Sequence, residues 1–403
     1  MAKVLLQCQA LTYFYMGLGA IYTKYKDSAE DLEIDVLFTK DVDSDNFVSK
    51  IKLSKYANNI YSIKRADFGK NIKRINKLKK NFLGKFLYEK VYRPRIHKII
   101  KSKIPNFCYD EVFFSHELPF SIITFLKDIS EKTNFVIYGD GSGLLMGKDT
   151  KLINPYKKPT KNPFIQEIRP NEIVALAPII EDDSFDAENI PVMGTEPKVL
   201  SDLIENDIQV QEKVNDYTDS ILEKYPDNKN IILLLTNALD DKRFNMNEED
   251  QVNIYFDMID KYCPENSVVI LKLHPTSKVD IAKILKEKCK KNCIFEVFPN
   301  ELKEYPIEIY SKLIKKSSLV ITFISSSRVS LSLMYNVDTS DAFDVIQNYS
   351  LKHRVNPVLN VLQKNLELYP NWDKKNVLYQ CDIVPQLEEF YEKYGGVNTY
   401  QKK

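Results

Sequence analysis

The chain has 403 residues and an almost balanced charge, 57 Lys+Arg against 56 Asp+Glu. At roughly 100–200 residues per domain, this length supports two domains with cores of their own. A composition 44% hydrophobic and 28% charged excludes global disorder. With 11 Gly and 18 Pro it is neither collagen-like nor a linker.

The opening MAKVLLQCQALTYFYMGLGAIY is apolar, but Lys3, Gln7 and Gln9 interrupt it, so it reads as a strand and a helix rather than a signal peptide. The apolar runs KVLLQ, IDVLF, NIYSI, EVFFS and NFVIY follow as strands, with helix-length amphipathic stretches between most of them. That alternation predicts βα units on a parallel sheet. One long gap, from Lys50 to Lys103, holds 18 Lys/Arg and only two acids, Asp67 and Glu89. Ile72, Ile75, Leu78, Phe82, Phe86 and Leu87 recur there at helical spacing and predict a basic amphipathic helix. Residues 155–198 are rich in Pro and polar residues and read as an interdomain stretch, although they contain the apolar piece EIVALAPII. After a helical segment to about Tyr225 the alternation restarts with the strands NIILLLT, SVVILKL, CIFEVF and LVITFI. The expected organisation is a first α/β domain over 1–185, carrying the basic segment 50–103, and a second over 195–380. A closing helix and tail, containing PQLEEFYEKYG, occupy 381–403.

Two doubly wound domains facing each other turn the carboxyl ends of both sheets toward one cleft, where such sheets bind ligands. The residues that follow the strands are therefore the candidates. After NFVIY comes Gly139-Asp140-Gly141-Ser142-Gly143, a turn where glycines allow close backbone approach by a ligand and Asp140 stands at the tip; as a plain strand-to-helix turn it would use Asp or Ser as a cap. EVFFS runs into His116 and Glu117, the latter a base candidate or a helix-start acid. Thr236 and Asn237 follow NIILLL. His274, locked by Pro275, follows SVVILKL and is placed to meet a phosphate or donate a proton. Pro306 and Glu308 open a helix after CIFEVF, where the helix dipole alone accounts for an acid. Ser325, Ser326 and Ser327 precede an apolar helix after LVITFI, and hydroxyls with free N–H groups at a helix start make an anion site. One serine suffices as a cap; three in a row favour phosphate.

Other chemistry is excluded. The six cysteines (Cys8, Cys108, Cys263, Cys289, Cys293 and Cys381) are too sparse for a secreted disulfide scaffold, and Cys289/Cys293 lack the second pair of a zinc site. Asp41-Val42-Asp43-Ser44-Asp45 begins like a calcium loop, but Asn46 replaces the required Gly and Lys52 the final Glu. No P-loop, GxGxxG, HExxH or GxSxG is present. No uninterrupted apolar run of about 18 residues exists, so no membrane span is expected, and a reducing cytoplasm is the expected compartment.

In chain order, YGDGSG (138–143), KLHP (272–275), PIE (306–308) and ISSS (324–327) resemble the acidic, HP and serine motifs of bacterial sialyltransferases, with the lipooligosaccharide sialyltransferases and capsular polysialyltransferases nearest. The opening strand and helix look like theirs as well. The resemblance is confined to these motifs, scattered over most of the chain. It implies the GT-B glycosyltransferase architecture, two Rossmann-like domains facing a central cleft, and an inverting transfer of sialic acid or a related nonulosonic acid from its CMP-activated donor to a hydroxyl of a surface glycan. It implies that His274 contacts the donor phosphate and assists departure of CMP, that Ser325, Ser326 and Ser327 bind the same phosphate, and that Pro306 and Glu308 sit near cytosine and ribose. No metal or other cofactor is implied. The sequence departs from the family at the acidic motif: its first acid is replaced by Gly139, leaving Asp140, or Glu117, as the base. Two further readings are a CDP-glycerol-type cell-wall polymer transferase and a catalytically degenerate glycan- or nucleotide-binding protein.

The basic segment has a net charge of +16 over 50–103, so the remainder sums to −15. It reads as a docking face for the inner surface of the cytoplasmic membrane or for an anionic glycan acceptor, against the plain alternative of a solvated helix face. No nucleic-acid-binding motif accompanies it.

Overall fold

The computed structural model describes residues 2–39, 49–52, 54–68, 86–105, 107–115, 126, 132–139, 171–176, 192–225, 230–237, 247–274, 280–322, 325, 327–340, 342, 344–346 and 348–349. Two compact units emerge. Among the described residues, one runs from the N terminus to Leu203 and takes in Asp207–Val210; the other holds Ile204–Asn206 and everything from Gln211 on.

The first unit is built on a seven-stranded parallel sheet: β1 (Ala2–Cys8), β2 (Leu32–Phe38), β3 (Asn59–Ser62), β4 (Glu111–Ser115), β5 (Asn134–Gly139), β6 (Glu172–Ala175) and β7 (Val192–Gly194). Their spatial order is β3-β2-β1-β4-β5-β6-β7. Burial follows position. Every residue of the central strand β4 is buried, whereas edge strand β3 has none that is. A parallel strand covered on both faces must be apolar along its whole length rather than alternating, which is why these strands appear as continuous runs in the sequence.

Helix α1 (Leu11–Lys24) lies against this sheet and is buried on nearly all sides. Gly17 makes that approach possible: a Cβ there would stand 2.3 Å from Leu6 Cδ1 and 3.1 Å from Tyr138 Cζ. Both neighbours are fully buried. Gly17→Ala is therefore expected to destabilise the fold by about 1–3 kcal/mol through overpacking, despite the better helix propensity of alanine. Chemical denaturation checks this; an unchanged or raised stability would show that Leu6 repacks freely.

Residues 155–198 are not simply a linker. β6 and β7 lie within them and extend the first sheet, with Ile137 paired to Ile173 and Ala175 to Gly194. Ile173, Val174, Ala175 and Leu176 are buried there. The apolar piece EIVAL is short, and its β partner β5 is distant in sequence, so prolines on either side masked it. The chain passes between units around residues 203–211 rather than between 185 and 195. It does so at the junction of α3 (Pro197–Glu205) and α4 (Ile208–Lys224), where buried Asp207 accepts a 3.0 Å bond from the Tyr15 hydroxyl.

The second unit carries a five-stranded parallel sheet of β8 (Ile231–Leu235), β9 (Val268–Lys272), β10 (Ile294–Val297), β11 (Leu319–Ile321) and β12 (Thr339–Ser340), in the order β10-β9-β8-β11-β12. Around it lie α5 (Glu248–Tyr262), α6 (Ile281–Lys288), α7 (Ser311–Lys316) and α8 (Ser327–Tyr335). A reciprocal capping box starts α5: Asn247 Oδ1 accepts from the Asp250 N–H at 2.8 Å, and the Asp250 carboxylate accepts from the Asn247 N–H at 3.3 Å. Tyr255, Met258 and Ile259 of α5 pack with Leu234, Leu271 and Leu285 in the core.

Of the expected basic helix, residues 69–85 lie outside the described residues. Helix α2 (Arg93–Lys103) follows, with Ile96 and Ile100 buried. Residues 41–48 of the failed calcium loop and the closing segment 381–403 also lie outside. Cys8, Cys108, Cys263, Cys289 and Cys293 are free thiols. No helix among the described residues is long and apolar enough to cross a membrane.

Candidate active site

Both sheets have the doubly wound order in which a central strand is followed on one side by its second and third strands and on the other by its fourth. The strand order reverses between β8 and β11 in the second unit, and between β1 and β4 in the first. Ligands of such sheets bind beyond the carboxyl ends of the strands at that switch point.

In the second unit, three neighbouring strand tips carry the predicted residues. The Thr236 N–H donates to the Lys272 carbonyl at 3.0 Å, and the Thr236 hydroxyl accepts from the His274 N–H at 2.9 Å. The tips of β8 and β9 are thereby joined, and the backbone of half-buried His274 is held beside Thr236. The Asn237 N–H donates to the hydroxyl of Tyr255 at 2.9 Å. Tyr255 is fully buried, and burial pushes its hydroxyl well above the usual phenol range, keeping it neutral. Lys272 closes the strand from below: its ammonium bonds the Lys303 carbonyl at 2.6 Å and stands 5.6 Å from the centre of the Phe298 ring.

On the other side of β8, β11 leads to Ser325 and α8. Ser325 Oγ accepts from the Ser327 N–H at 3.2 Å, and the Ser325 carbonyl accepts from the Arg328 N–H at 3.1 Å. Ser325 therefore does cap the helix, and its hydroxyl hydrogen remains a donor at the start of α8. Ser327 and Ser330 both donate to the Glu308 carboxylate, at 3.3 and 2.8 Å. The Glu308 carbonyl accepts from the Tyr335 hydroxyl at 2.6 Å. Glu308 sits on the short turn Ile307–Ile309 after Pro306, is buried, and staples that turn to both ends of α8. Burial raises its carboxyl above the ordinary value; hydrogen bonds from Ser330 and Ser327 and the Lys272 charge oppose the rise without cancelling it.

Ser326 and Pro275 lie outside the described residues, as do His116, Glu117, Asp140, Gly141 and Ser142 in the first unit. Gly139 closes β5, and its carbonyl accepts from the Leu176 N–H at 3.0 Å.

Two features escaped the sequence reading. Arg328, in the first turn of α8, is completely buried, although a cation is disfavoured by the helix dipole at that end. At the first unit's switch point a buried polar group joins four strand ends. Gln7 Nε2 donates to Thr39 Oγ1 at 2.8 Å, Gln7 Oε1 accepts from the Ser115 N–H at 3.0 Å, and the Tyr138 hydroxyl donates to the Gln7 carbonyl at 2.7 Å. Gln9 Nε2 reaches Ser115 Oγ at 3.4 Å. The signal was available: two amides at the end of an otherwise apolar strand. Among the described residues no group of three or more His, Cys, Asp or Glu is arranged to hold a metal.

No family model and no curated protein matches the chain. Solved structures do. The UDP-GlcNAc 2-epimerase from Neisseria meningitidis, solved bound to UDP-GlcNAc, aligns over 97% of this chain and 99% of its own, with 12% identity and a TM-score of 0.52. A Listeria monocytogenes protein assigned as a UDP-N-acetylglucosamine 2-epimerase aligns over 100% of both chains, with 11% identity and the same TM-score. At such identities the likeness is one of fold. The chain thus has an α/β architecture of two Rossmann-like units, of the GT-B type.

Proposed function

We propose that the protein is a sugar-nucleotide-dependent enzyme, and specifically an inverting glycosyltransferase that moves sialic acid or a related nonulosonic acid from its CMP-activated donor to a glycan hydroxyl. The observation that carries this reading is the joined tip of β8 and β9, with His274 bonded through its N–H to Thr236, next to the Ser325-capped start of α8 at the switch point. The finer choice of donor is supported by the motif order in the sequence.

In this mechanism the single phosphate of CMP lies at the N terminus of α8, where Ser325, Ser326 and backbone N–H groups take its charge. His274 donates a proton or hydrogen bond to the leaving phosphate. Thr236, Asn237 and Pro275 line the donor, Pro306 and Glu308 border the nucleoside, and Gly141 and Ser142 belong to the glycine turn that the motif assigns to donor binding. The acceptor hydroxyl is a weak nucleophile, so a carboxylate, Asp140 or else Glu117, accepts its proton as the glycosidic bond forms. The leaving group's charge is met by hydroxyls, imidazole and helix dipole, so the reaction as proposed needs no metal.

A donor panel tests it: CMP-linked nonulosonic acids, CDP-glycerol and UDP-GlcNAc, each with a glycan acceptor and a chelator, with products read by mass spectrometry. A nonulosonic acid adduct with CMP release is the expected result. Turnover of CDP-glycerol, epimerisation of UDP-GlcNAc, or binding with no turnover would each replace this reading with another.

The base is tested separately. Asp140→Asn is expected to lower transfer by about 10²–10⁴-fold while CMP still binds. Full activity in that variant with loss in Glu117→Gln would move the role to Glu117.

A further inference from the structure

We propose that the basic face of the first unit, formed by α2 and the turn preceding it, docks the protein on an anionic phospholipid surface. This does not rest on the reaction proposed above. Residues 86–103 contain six Lys/Arg and one acid, Glu89. Ile96 and Ile100, one turn apart, are buried, so the opposite side of α2 faces solvent. Arg95, Lys98 and Lys101 recur there every third residue, and all three are exposed, as is Lys90 just before the helix. None of these four has an ion-pair partner within 4.0 Å among the described residues; Lys103, by contrast, is 3.2 Å from Asp67. A row of uncompensated cations is complementary to a negatively charged surface.

The same segment exposes two large apolar side chains, Phe86 at 55% and Val91 at 52%. Exposed aromatic and aliphatic groups in the segment that carries the cationic row favour lipid over a soluble anionic polymer. A polymer rewards only charge, whereas a bilayer also accepts apolar groups at the headgroup–acyl boundary.

Co-sedimentation of the full-length chain with phosphatidylcholine vesicles, with and without phosphatidylglycerol, decides the matter; no donor or acceptor is present, so the result is independent of the enzymatic reading. Binding is expected only with phosphatidylglycerol and should weaken as salt rises. The triple variant Arg95→Gln, Lys98→Gln, Lys101→Gln should bind about 100-fold more weakly with an unchanged melting temperature, because each such cation contributes about fivefold at a charged membrane. Phe86→Ser with Val91→Ser should remove the binding that persists at high salt. Equal binding by the triple variant would overturn the proposal. So would failure to bind vesicles with retention on an anionic polysaccharide column, which would assign the face to a glycan.

Discussion

His274→Ala is expected to lower turnover by about 10²-fold, with the melting temperature close to that of the wild type. The size follows from the role: a positioned proton donor typically contributes 10²–10⁴-fold, and one hydrogen-bond donor aimed at developing charge about 10²–10³-fold. The backbone tie of this residue survives the substitution. The bond tying this residue to β8 runs from its backbone N–H to Thr236 Oγ1, and alanine keeps that N–H. His274→Gln, which retains a side-chain donor, should recover part of the loss. Thr236→Val removes the acceptor and should reduce turnover through misplacement of the intact imidazole. Steady-state rates of CMP release, read beside thermal melts, separate these effects. Wild-type turnover in His274→Ala would remove the imidazole from the mechanism, whereas an early-melting His274→Ala would make it a structural residue.

The second large effect concerns Glu308. Its carboxylate is the acceptor for Ser327 and Ser330, so Glu308→Ala leaves two hydroxyls without it and opens a cavity beside α8. The expected loss is about 2–4 kcal/mol, on the scale of a buried polar group orphaned and a cavity formed. Glu308→Gln behaves differently, because its amide oxygen still accepts from both serines. Burial holds the Glu308 pKa above its unfolded value, so the native state binds this proton more tightly than the unfolded chain does. The stability this group adds is therefore fully present below its unfolded pKa and is lost as pH rises through the raised folded value. At neutral pH the wild type bears the cost of a buried ionisable carboxyl that glutamine does not. Glu308→Gln should thus be at least as stable as wild type at neutral pH, with a shallower fall in stability above the ordinary carboxylate range. Urea unfolding across a pH series measures both slopes. A Glu308→Gln variant several kcal/mol weaker at neutral pH would show that Glu308 is ionised and held by a cation, with Lys272 the first to examine.

These two residues also mark the line between local and non-local information. That Thr236, His274 and Ser325 follow strands could be read from the chain alone, because a buried parallel strand needs an unbroken apolar run and its end is a local event. Runs such as IILLL and VVILK announce themselves, and with them the residues at their tips. The basic character of residues 50–103 was equally plain, since charge needs no partner to be counted. The short strand at Glu172–Ala175 was not legible. Four residues among prolines form a strand only because β5 supplies their hydrogen bonds, and no feature of the segment itself names that partner.

The same holds at the site. Sequence order sets the strands of the second unit as β8, β9, β10, β11; folding sets β8 between β9 and β11. Only that exchange brings the tip bearing Thr236 between those leading to His274 and Ser325. Glu308 looked like a helix-start acid facing the dipole, and it proved to be a buried acceptor for serines 19 and 22 residues further on. Composition and periodicity carry the strands, their ends and the charge, which depend on neighbours in sequence. Strand order, the burial of Glu308 and Arg328 and the joining of strand tips depend on groups distant in the chain, and packing alone decides those.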